Sequence, residues 1–244
     1  MVAAKAATPH ARSFLKALRA VVAIARRTGI RDDDPTEGIR VKVRATAGFR
    51  TWAEDDIARF ETVYPIGSRA RLAFALLLFT GQRRGDVIRL GRQHVKGGFM
   101  TVRQGKTGAT VVIPLHPELQ AILAASEAGN LTFLTTATGK PFAPGAFTNW
   151  FGTLCRVAGL PLGLSAHGLR KAMCRRLAEA GCSANQIAAI SGHVTLREVA
   201  RYTKAADQKR MARDAMEAIT GTPERKPLRP KLETLSQVIE KKGA

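Results

Sequence analysis

The sequence predicts a mainly helical fold with one small three-stranded antiparallel sheet. Apolar residues recur at helical spacing along most of the chain, and one central stretch contains short β-type runs separated by glycines. Of the 244 residues, 45% are hydrophobic and 24% are charged, which are ordinary values for a globular protein. The chain is therefore long enough and apolar enough to bury a sizeable core.

The first predicted helix covers residues 11–27, where Phe14 and Leu18 follow helical spacing and Gly29 ends the pattern. The stretch after it is rich in charge and glycine, as in a linker. One helix is too little for an independent domain. Residues 1–47 are therefore predicted to be the remnant of a helical domain followed by a linker.

A larger unit is predicted to follow. Thr51 and Glu54 have the spacing of a capping box, which predicts that a helix starts there. A second, strongly apolar helix covers residues 68–79 and ends before Gly81, and a short helix follows it through Leu90. The unit is therefore expected to begin with three helices.

The predicted sheet comes next. Its three runs cover residues 94–96, 99–103 and 109–115, and glycine-containing turns separate them. Because the turns are short, neighbouring runs are expected to pair as an antiparallel meander. Helical patterns then resume over residues 117–126, 144–157, 166–179, 184–190, 196–202 and 205–219.

The composition changes at residue 221. Prolines alternate with basic residues, as in a solvated linker, and an apolar stripe then runs from Leu232 to Ile239. A helix this short is marginal alone, so it needs a docking surface. Residues 221–244 are therefore predicted to be a basic linker with a short docking helix, and residues 48–220 the main domain.

The charge balance indicates a polyanionic partner. The chain has 39 Lys and Arg residues against 19 Asp and Glu residues, a formal net charge of +20. Such an excess favours binding to an anion, and phosphate neutralisation dominates affinity for nucleic acids. Nucleic acid is therefore the favoured partner, and an anionic membrane surface is the weaker alternative.

Other classes of protein are disfavoured. The longest uncharged apolar run is far shorter than the ~20 residues that a membrane helix needs, and no secretory signal is visible. The three cysteines lack the spacing of a zinc site or a disulfide framework. The expected location is the cytoplasm, in association with the nucleoid.

Two candidate sites lie in the first half of the larger unit. Arg83 and Asp86 share one predicted helix face with apolar neighbours, so a structural ion pair is the simplest interpretation. Lys106 lies in a Gly-Lys-Thr-Gly turn. It is either a solvated turn residue or an ammonium presented to a phosphate or a leaving group.

Four more candidate residues lie in the second half. His167 and Arg170 share a helix face, which is either a solvated basic surface or a phosphate site with an acid–base group. His193 precedes a predicted helix start, where free N–H groups attract anions. Tyr202 lies off the apolar stripe of its helix, and taken alone it is most simply a packing residue.

The order and spacing of these residues resemble the tyrosine recombinases, in particular the integrases of phages and integrative elements. The resemblance runs from about residue 49 to residue 219. Asp86 stands where members commonly have glutamate, which alters the support of Arg83. The motifs are TGxRxx[ED] at residues 80–86, the hairpin lysine at 104–107, HxxR at 167–170, [LS]GH at 191–193, and a tyrosine nine residues after that histidine.

The resemblance implies that the chain breaks and rejoins DNA without ATP, a metal ion or another cofactor. Tyr202 would attack a phosphodiester and form a 3′-phosphotyrosyl link, leaving a free 5′-hydroxyl. Arg83 and Arg170 would hold the phosphate oxygens, because a guanidinium can bind two oxygens at once. His193 would donate a further hydrogen bond. The remaining roles would be general acid for Lys106, orienting group or proton acceptor for His167, and site support for Asp86.

The resemblance also implies partners. These are double-stranded DNA, further copies of the chain in a tetramer on DNA, and an accessory protein that bends DNA. The family has a helical core-binding domain before the catalytic domain, and residues 1–47 match at most its last helix. The expected contacts with the DNA backbone are Arg50, Arg84, Lys96, Lys171, Arg175 and Lys204.

Two alternatives stay open. A type IB topoisomerase would use a related mechanism to relax DNA, but the spacing from His193 to Tyr202 and the lysine hairpin favour a recombinase. A non-catalytic DNA-binding remnant of an integrase would keep the fold without the activity. The presence of all six catalytic-type residues argues against that remnant.

Overall fold

The computed structural model describes residues 9–41, 48–127, 129 and 131–219. The chain forms two compact units, Met1–Arg50 and Thr51–Ala244. The helices are α1 (Pro9–Arg27), α2 (Glu54–Val63), α3 (Arg69–Thr80), α4 (Arg84–Val87), α5 (Pro117–Ala125), α6 (Pro144–Val157), α7 (Ala166–Glu179), α8 (Ala184–Ser191) and α9 (Leu196–Ile219). The strands are β1 (Val95–Lys96), β2 (Phe99–Arg103) and β3 (Thr110–Pro114), and a 3₁₀ turn over Arg92–His94 precedes β1.

The described part of the first unit is α1 and the segment that follows it. Leu15 and Val22 on α1 are buried. The Arg19 guanidinium donates hydrogen bonds to the carbonyl oxygens of Thr36, at 3.4 Å, and Ile39, at 2.7 Å. These bonds hold the returning segment against the helix.

The core of the second unit is organised around α3, whose residues are nearly all buried. Trp52 is fully buried, and its ring centroid lies 5.6 Å from that of Phe74 and 5.7 Å from that of Phe60. Its indole nitrogen donates to the carbonyl oxygen of Ser165 at 3.0 Å. A buried aromatic ring with its polar atom satisfied joins the start of this unit to the start of α7.

The sheet confirms the predicted meander. The strand order is β1-β2-β3, and both neighbouring pairs are antiparallel. Met100 faces Ile113 in the register, and both side chains are buried, whereas alternate residues of β2 are exposed. One face of the sheet therefore packs on the core, and the β2–β3 turn projects from its end.

Two details of the prediction were wrong. The first helix of the second unit does not begin with a Thr51–Glu54 capping box. Its N-cap is Ala53, whose backbone N–H is bound by the Asp56 carboxylate at 2.9 Å. The predicted break between residues 202 and 205 is also absent, because α9 is one continuous helix whose inner residue Val199 is fully buried.

A capping box marks the start of α8. The Gln186 side chain accepts from the Ser183 N–H at 2.7 Å, and the Ser183 hydroxyl accepts from the Gln186 N–H. This reciprocal pair fixes where α8 begins. Residues 221–244, with the expected docking helix, lie outside the described residues.

Candidate active site

Arg170 is the most constrained of the candidate residues. It lies on the buried face of α7 and is 2% exposed. Its Nη1 donates to the carbonyl oxygens of Gly81 and Ser191, each at 2.7 Å. Within the described part of the chain, its buried Nη2 has no hydrogen-bond partner. Nη1 thus anchors the guanidinium, and Nη2 is unused.

The charge on Arg170 survives this burial. Burial, and then the positive charge of Arg83, lower its pKa to about 10. The guanidinium therefore stays protonated at neutral pH. A buried cation with an unused donor is stabilised by an anion, because the anion supplies both the missing acceptor and the opposite charge.

Arg83 is presented by the turn between α3 and α4. Gly81 ends α3 in the left-handed conformation, with φ 61°, which turns the chain sharply. Arg83 follows as the N-cap residue of α4 and is half-buried. Its Nη1 donates to the side-chain oxygen of Gln104 at 3.0 Å, so the β2–β3 turn holds the guanidinium.

Asp86 supports the site in a different way from the ion pair considered above. Its Oδ1 accepts from Arg89, at 2.6 Å, and from the backbone N–H of Gly105, at 2.8 Å. The ion pair of Asp86 is thus with Arg89 and not with Arg83. The carboxylate holds the start of the β2–β3 turn, where the exposed Lys106 lies one residue further on.

His193 follows α8 and is oriented by Ser191. The Ser191 hydroxyl donates to the carbonyl oxygen of Ile187 at 2.6 Å, and the same oxygen lies 2.6 Å from Nδ1 of His193. A hydroxyl has one hydrogen, so Nδ1–H must be the donor in the second contact. Nε2, at 3.7 Å from the Glu198 carboxylate, then carries no proton on a neutral ring.

The protonation of His193 gives a first prediction. Burial, and then the charge of Arg170, lower its pKa to about 4. We expect long-range ¹H–¹⁵N spectra at pH 7 to show a neutral ring with its proton on Nδ1. Ser191→Ala should move the tautomer mixture toward Nε2–H, because it removes the acceptor.

The sign of the effect on stability follows from the lowered pKa. The unfolded chain, with a pKa near 6.5, takes up the proton before the folded chain does. His193 should therefore lower the free energy of unfolding progressively as the pH falls from about 6.5 to 4. Above that pH range its titration should not affect the free energy of unfolding. A protonated ring at pH 7 in the wild-type protein would contradict this assignment.

Tyr202 and His167 complete the group. Tyr202 is half-buried on α9 and packs against a cluster that includes Cys174 and Ile187. Burial raises its pKa to about 12, although the charge of Arg170 acts in the opposite direction. His167 is exposed overall, yet its pKa is lowered by partial loss of water around the ring and then by the charge of Arg170.

The residues expected to contact the DNA backbone differ in their surroundings. Lys96, Lys204 and Arg84 are exposed, and Arg84 donates to the Thr148 hydroxyl. Arg175 is instead paired with Glu54, at 2.5 Å, and with Glu179, at 3.1 Å. These pairs favour a structural role for Arg175. Lys171 is half-buried on α7, and Arg50, in the first unit, is exposed.

Two buried glutamines next to the candidate residues were not predicted from the sequence. Gln82 and Gln104 are fully buried and bonded to each other at 2.6 Å. Both lie inside the motifs quoted above, next to Arg83 and two residues before Lys106. The sequence held one signal for them: each is a polar residue next to buried positions, where its amide needs hydrogen-bond partners.

The described residues contain no group of three or more His, Cys, Asp or Glu side chains that could hold a metal ion. None of the helices in the described part of the chain is long and apolar enough to cross a membrane.

The charges of two arginines act on the other members of this group. Arg83 and Arg170 supply two positive charges, and each lowers the pKa of His193, so the three groups lie close together. Arg170 acts in the same way on Tyr202. Such an arrangement stabilises negative charge on an oxyanion such as a phosphate.

Known proteins share this sequence and fold. The integrase of Escherichia phage HK022 is 29% identical over 89 residues, which are 36% of this chain and 25% of that integrase. A lambda integrase (75–356) dimer bound to a COC′ core site is 21% identical, with a TM-score of 0.67 and coverage of 78% of this chain and 71% of that chain. A lambda integrase tetramer bound to a Holliday junction is 23% identical, with a TM-score of 0.64 and coverage of 74% and 57%.

These comparisons confirm the predicted tyrosine recombinase catalytic fold. The match to the HK022 integrase spans about a quarter of that protein's length. The sequence pattern of the phage integrase family matches residues 54–209, which is more than half of the 244 residues. The chain belongs to the phage integrase family.

Proposed function

We propose that the chain is a site-specific DNA recombinase that cleaves and rejoins DNA through a 3′-phosphotyrosyl intermediate. The observation that carries this proposal is Arg170, a buried guanidinium with an unused nitrogen, whose charge acts on both Tyr202 and His193. A phosphodiester bound there would supply the missing acceptor. Its phosphorus would then lie beside the tyrosine hydroxyl.

In the proposed reaction the two arginines stabilise the transition state. Attack by the Tyr202 oxygen places extra negative charge on the phosphate oxygens, and positive groups fixed in advance stabilise that charge without reorganisation. Arg170 is fixed by its two backbone acceptors and Arg83 by Gln104. ATP does not enter this scheme, because the phosphotyrosyl bond conserves the energy of the bond that breaks. A metal ion does not enter it either, because the two arginines supply the positive charge.

Tyr202 must lose its proton in this step. With a pKa raised to about 12, the hydroxyl is neutral before DNA binds. We assign His167 as the orienting group or proton acceptor. His193 would donate to a phosphate oxygen through Nε2, which requires a protonated ring. The negative phosphate would favour that form by raising the pKa of His193 above its low value in the free protein.

Lys106 would protonate the leaving 5′-oxygen. The residue is exposed in the β2–β3 turn. Asp86 and Gln104 fix this turn by accepting hydrogen bonds from its Gly105 N–H and its Thr107 hydroxyl. A flexible ammonium in such a turn can reach a DNA strand that lies across the two arginines. The free 5′-hydroxyl of a partner strand would then reverse the reaction and complete strand exchange.

The proposed partners follow from the same scheme. Double-stranded DNA would bind through the exposed basic residues, and its use as substrate would place the protein at the nucleoid. Strand exchange needs more than one protomer, and lambda integrase has been seen as a dimer and as a tetramer on DNA. We therefore propose that this chain also acts as a tetramer. We further propose that residues 1–47 are part of a core-binding domain, that residues 48–220 are the catalytic domain, and that residues 221–244 link neighbouring protomers. An accessory DNA-bending protein is a further proposed partner.

The proposal is tested by trapping the intermediate. The protein is incubated in EDTA with sheared DNA from the organism that encodes it, denatured, and separated on a gel that retains covalent complexes. Wild-type protein should form a complex and Tyr202→Phe should form none, because phenylalanine has no nucleophilic oxygen. DNA affinity should be the same in both and should fall steeply with salt.

Other outcomes of this experiment are equally informative. Salt-sensitive binding without any covalent complex would indicate a non-catalytic DNA-binding remnant and would contradict the proposed reaction. A covalent complex followed by relaxation of supercoiled DNA, without exchange between two duplexes, would indicate a topoisomerase.

A further inference from the structure

The side chain of Gln104 uses its full hydrogen-bonding capacity. Its oxygen accepts from Arg83 Nη1 and from the Thr107 hydroxyl, each at 3.0 Å. Its nitrogen donates to the Gln82 side-chain oxygen at 2.6 Å and to the Ser191 carbonyl oxygen at 2.9 Å. A primary amide has two donors and two acceptor sites, and all four are occupied. The amide therefore has one orientation only.

The partner glutamine extends the contact to the end of α8. Gln82 is fully buried, and its nitrogen donates to the carbonyl oxygens of Thr80, at 3.0 Å, and Ile190, at 2.8 Å. The glutamine pair thus joins the α3–α4 turn, the β2–β3 turn and the end of α8. These three segments are far apart in sequence. The two turns contain Arg83 and Lys106, and His193 follows the end of α8.

The two glutamines differ in one respect that matters for the site. Gln104 contacts the Arg83 guanidinium and the Thr107 side chain in the lysine turn. The hydrogen bonds of Gln82 go to Gln104 and to backbone oxygens. If the pair were only a structural connection, losing either glutamine would have the same effect on Arg83.

We propose that Gln104 is a positioning residue that aims the Arg83 guanidinium and the Lys106 turn at the reacting phosphate. This inference rests on the proposed function. The amide is suited to the task because it accepts from Arg83 without neutralising its positive charge. A carboxylate at this position would also accept from Arg83, but it would cancel that charge and would face the oxygens of Gln82 and Ser191.

The close packing around Gln104 supports this role. Gly192 has φ 68°, and a Cβ built there would lie 2.2 Å from the Gln104 nitrogen. The backbone that leads to His193 therefore passes directly over the amide. Gln104 is enclosed on this side and cannot turn to release Arg83 without moving the end of α8.

The first test compares Gln104→Met with Gln82→Met, two substitutions of similar volume at neighbouring buried positions. Urea unfolding establishes that each variant is folded. In protein labelled with ¹⁵N-arginine, the Arg83 side-chain signal is assigned by its loss in Arg83→Lys. We expect Gln104→Met to shift and broaden this signal toward that of a solvent-exposed arginine, and Gln82→Met to leave it near its original position.

The second test measures the rate of covalent complex formation in a single turnover, over a range of concentrations of the same sheared DNA. Gln104→Met should lower the maximal rate by about 100-fold, the size of effect expected from misplacing a catalytic group by about 1 Å. The DNA concentration at half-maximal rate should change by less than about threefold, because a positioning defect acts on the chemical step. Gln82→Met should lower the maximal rate by less than about tenfold.

A third variant serves if Gln104→Met does not fold. In Gln104→Glu one carboxylate oxygen can still accept from Arg83, although the other loses the hydrogen bonds to Gln82 and Ser191. The Arg83 signal should therefore stay closer to its wild-type position than to that of a solvent-exposed arginine. Its maximal rate should nevertheless fall, because the charge of Arg83 is cancelled.

The outcomes separate the inference from the proposed function. Equal effects of Gln104→Met and Gln82→Met on the Arg83 signal and on the rate would overturn the positioning role, and so would a wild-type rate in Gln104→Met. If wild-type protein forms no covalent complex, the proposed function fails. An Arg83 signal that does not respond to Gln104→Met overturns the inference whether or not a complex forms.

Discussion

Arg170→Lys should lower the rate of covalent complex formation by at least about 10³-fold. It should also lower the free energy of unfolding by about 2 kcal/mol. Nη1 of Arg170 satisfies the carbonyl oxygens of Gly81 and Ser191 from a position that is 2% exposed. A lysine ammonium is a single point charge, so it cannot bind both carbonyls and also present a second nitrogen to a phosphate. Single-turnover kinetics and urea unfolding measure the two losses.

Arg176→Lys is the matched control for this substitution. Arg176 lies on the same helix, but it pairs with Glu54 at 2.5 Å and is about one-third exposed. Exposed ion pairs contribute little, so this variant should lose less than about 1 kcal/mol of stability and keep the wild-type rate. If Arg170→Lys retained more than a tenth of the wild-type rate, the role given to its guanidinium would be wrong.

Gly192→Ala should have the second largest effect. The residue ends α8 at φ 68°, where a Cβ is sterically unfavourable, and that Cβ would lie 2.2 Å from the Gln104 nitrogen. We expect a loss of about 2–4 kcal/mol from backbone strain and from disrupted hydrogen bonds of the buried amide. The rate of complex formation should fall by about 100-fold, because Arg83 and His193 both move.

Gly181→Ala separates these two causes. Gly181 also follows a helix with a positive φ, of 85°, but a Cβ there would meet no heavy atom of the described residues within 4 Å. This variant should lose about 1–2 kcal/mol from the backbone alone and keep the wild-type rate. Equal losses of activity in the two glycine variants would show that the contact with Gln104 is irrelevant to the site.

Most of the fold could be predicted from local sequence patterns. The bounds of α6, α7 and β2 were predicted correctly, because apolar periodicity and flanking turn residues agree there. The start of α2 was predicted incorrectly, because Asp56 rather than Glu54 accepts from the free backbone N–H of the N-cap residue, Ala53. Both residues are acidic and lie in the first turn, so only the observed geometry distinguishes them.

The break predicted within α9 failed for another reason. No glycine or proline separates residues 202 and 205, so the sequence holds no helix breaker at the predicted gap. The half-buried Tyr202, near the start of one continuous helix, packs against α7 and α8 residues. Tertiary packing thus compensates for a weak local pattern.

The candidate site was only partly accessible from sequence. The motifs identified Arg83, Arg170 and His193 by residue type and order. Their geometry depends on hydrogen bonds between segments more than 20 residues apart, as between Arg83 and Gln104. Local patterns carry no information on such contacts, so the partner of Asp86 and the role of the glutamine pair required the structure.

The direction in which the pKa of Tyr202 shifts could likewise not be predicted from the sequence. The positive charges of Arg83 and Arg170, taken alone, would favour the phenolate of Tyr202. In the free protein burial outweighs the charge of Arg170, and the pKa of Tyr202 is raised to about 12. A proton acceptor is therefore needed in the proposed reaction, and cations alone are not enough.

The most direct test of the central proposal identifies the atom that becomes bonded to DNA. Complexes trapped in EDTA are digested with nuclease and protease, and the peptides are analysed by mass spectrometry. The proposed mechanism predicts a nucleotide joined through its 3′-phosphate to the peptide that contains Tyr202, and a free 5′-hydroxyl on the other DNA end. A nucleotide on any other residue, a 5′-phosphate link, or a complex that forms only with added metal ion would contradict it.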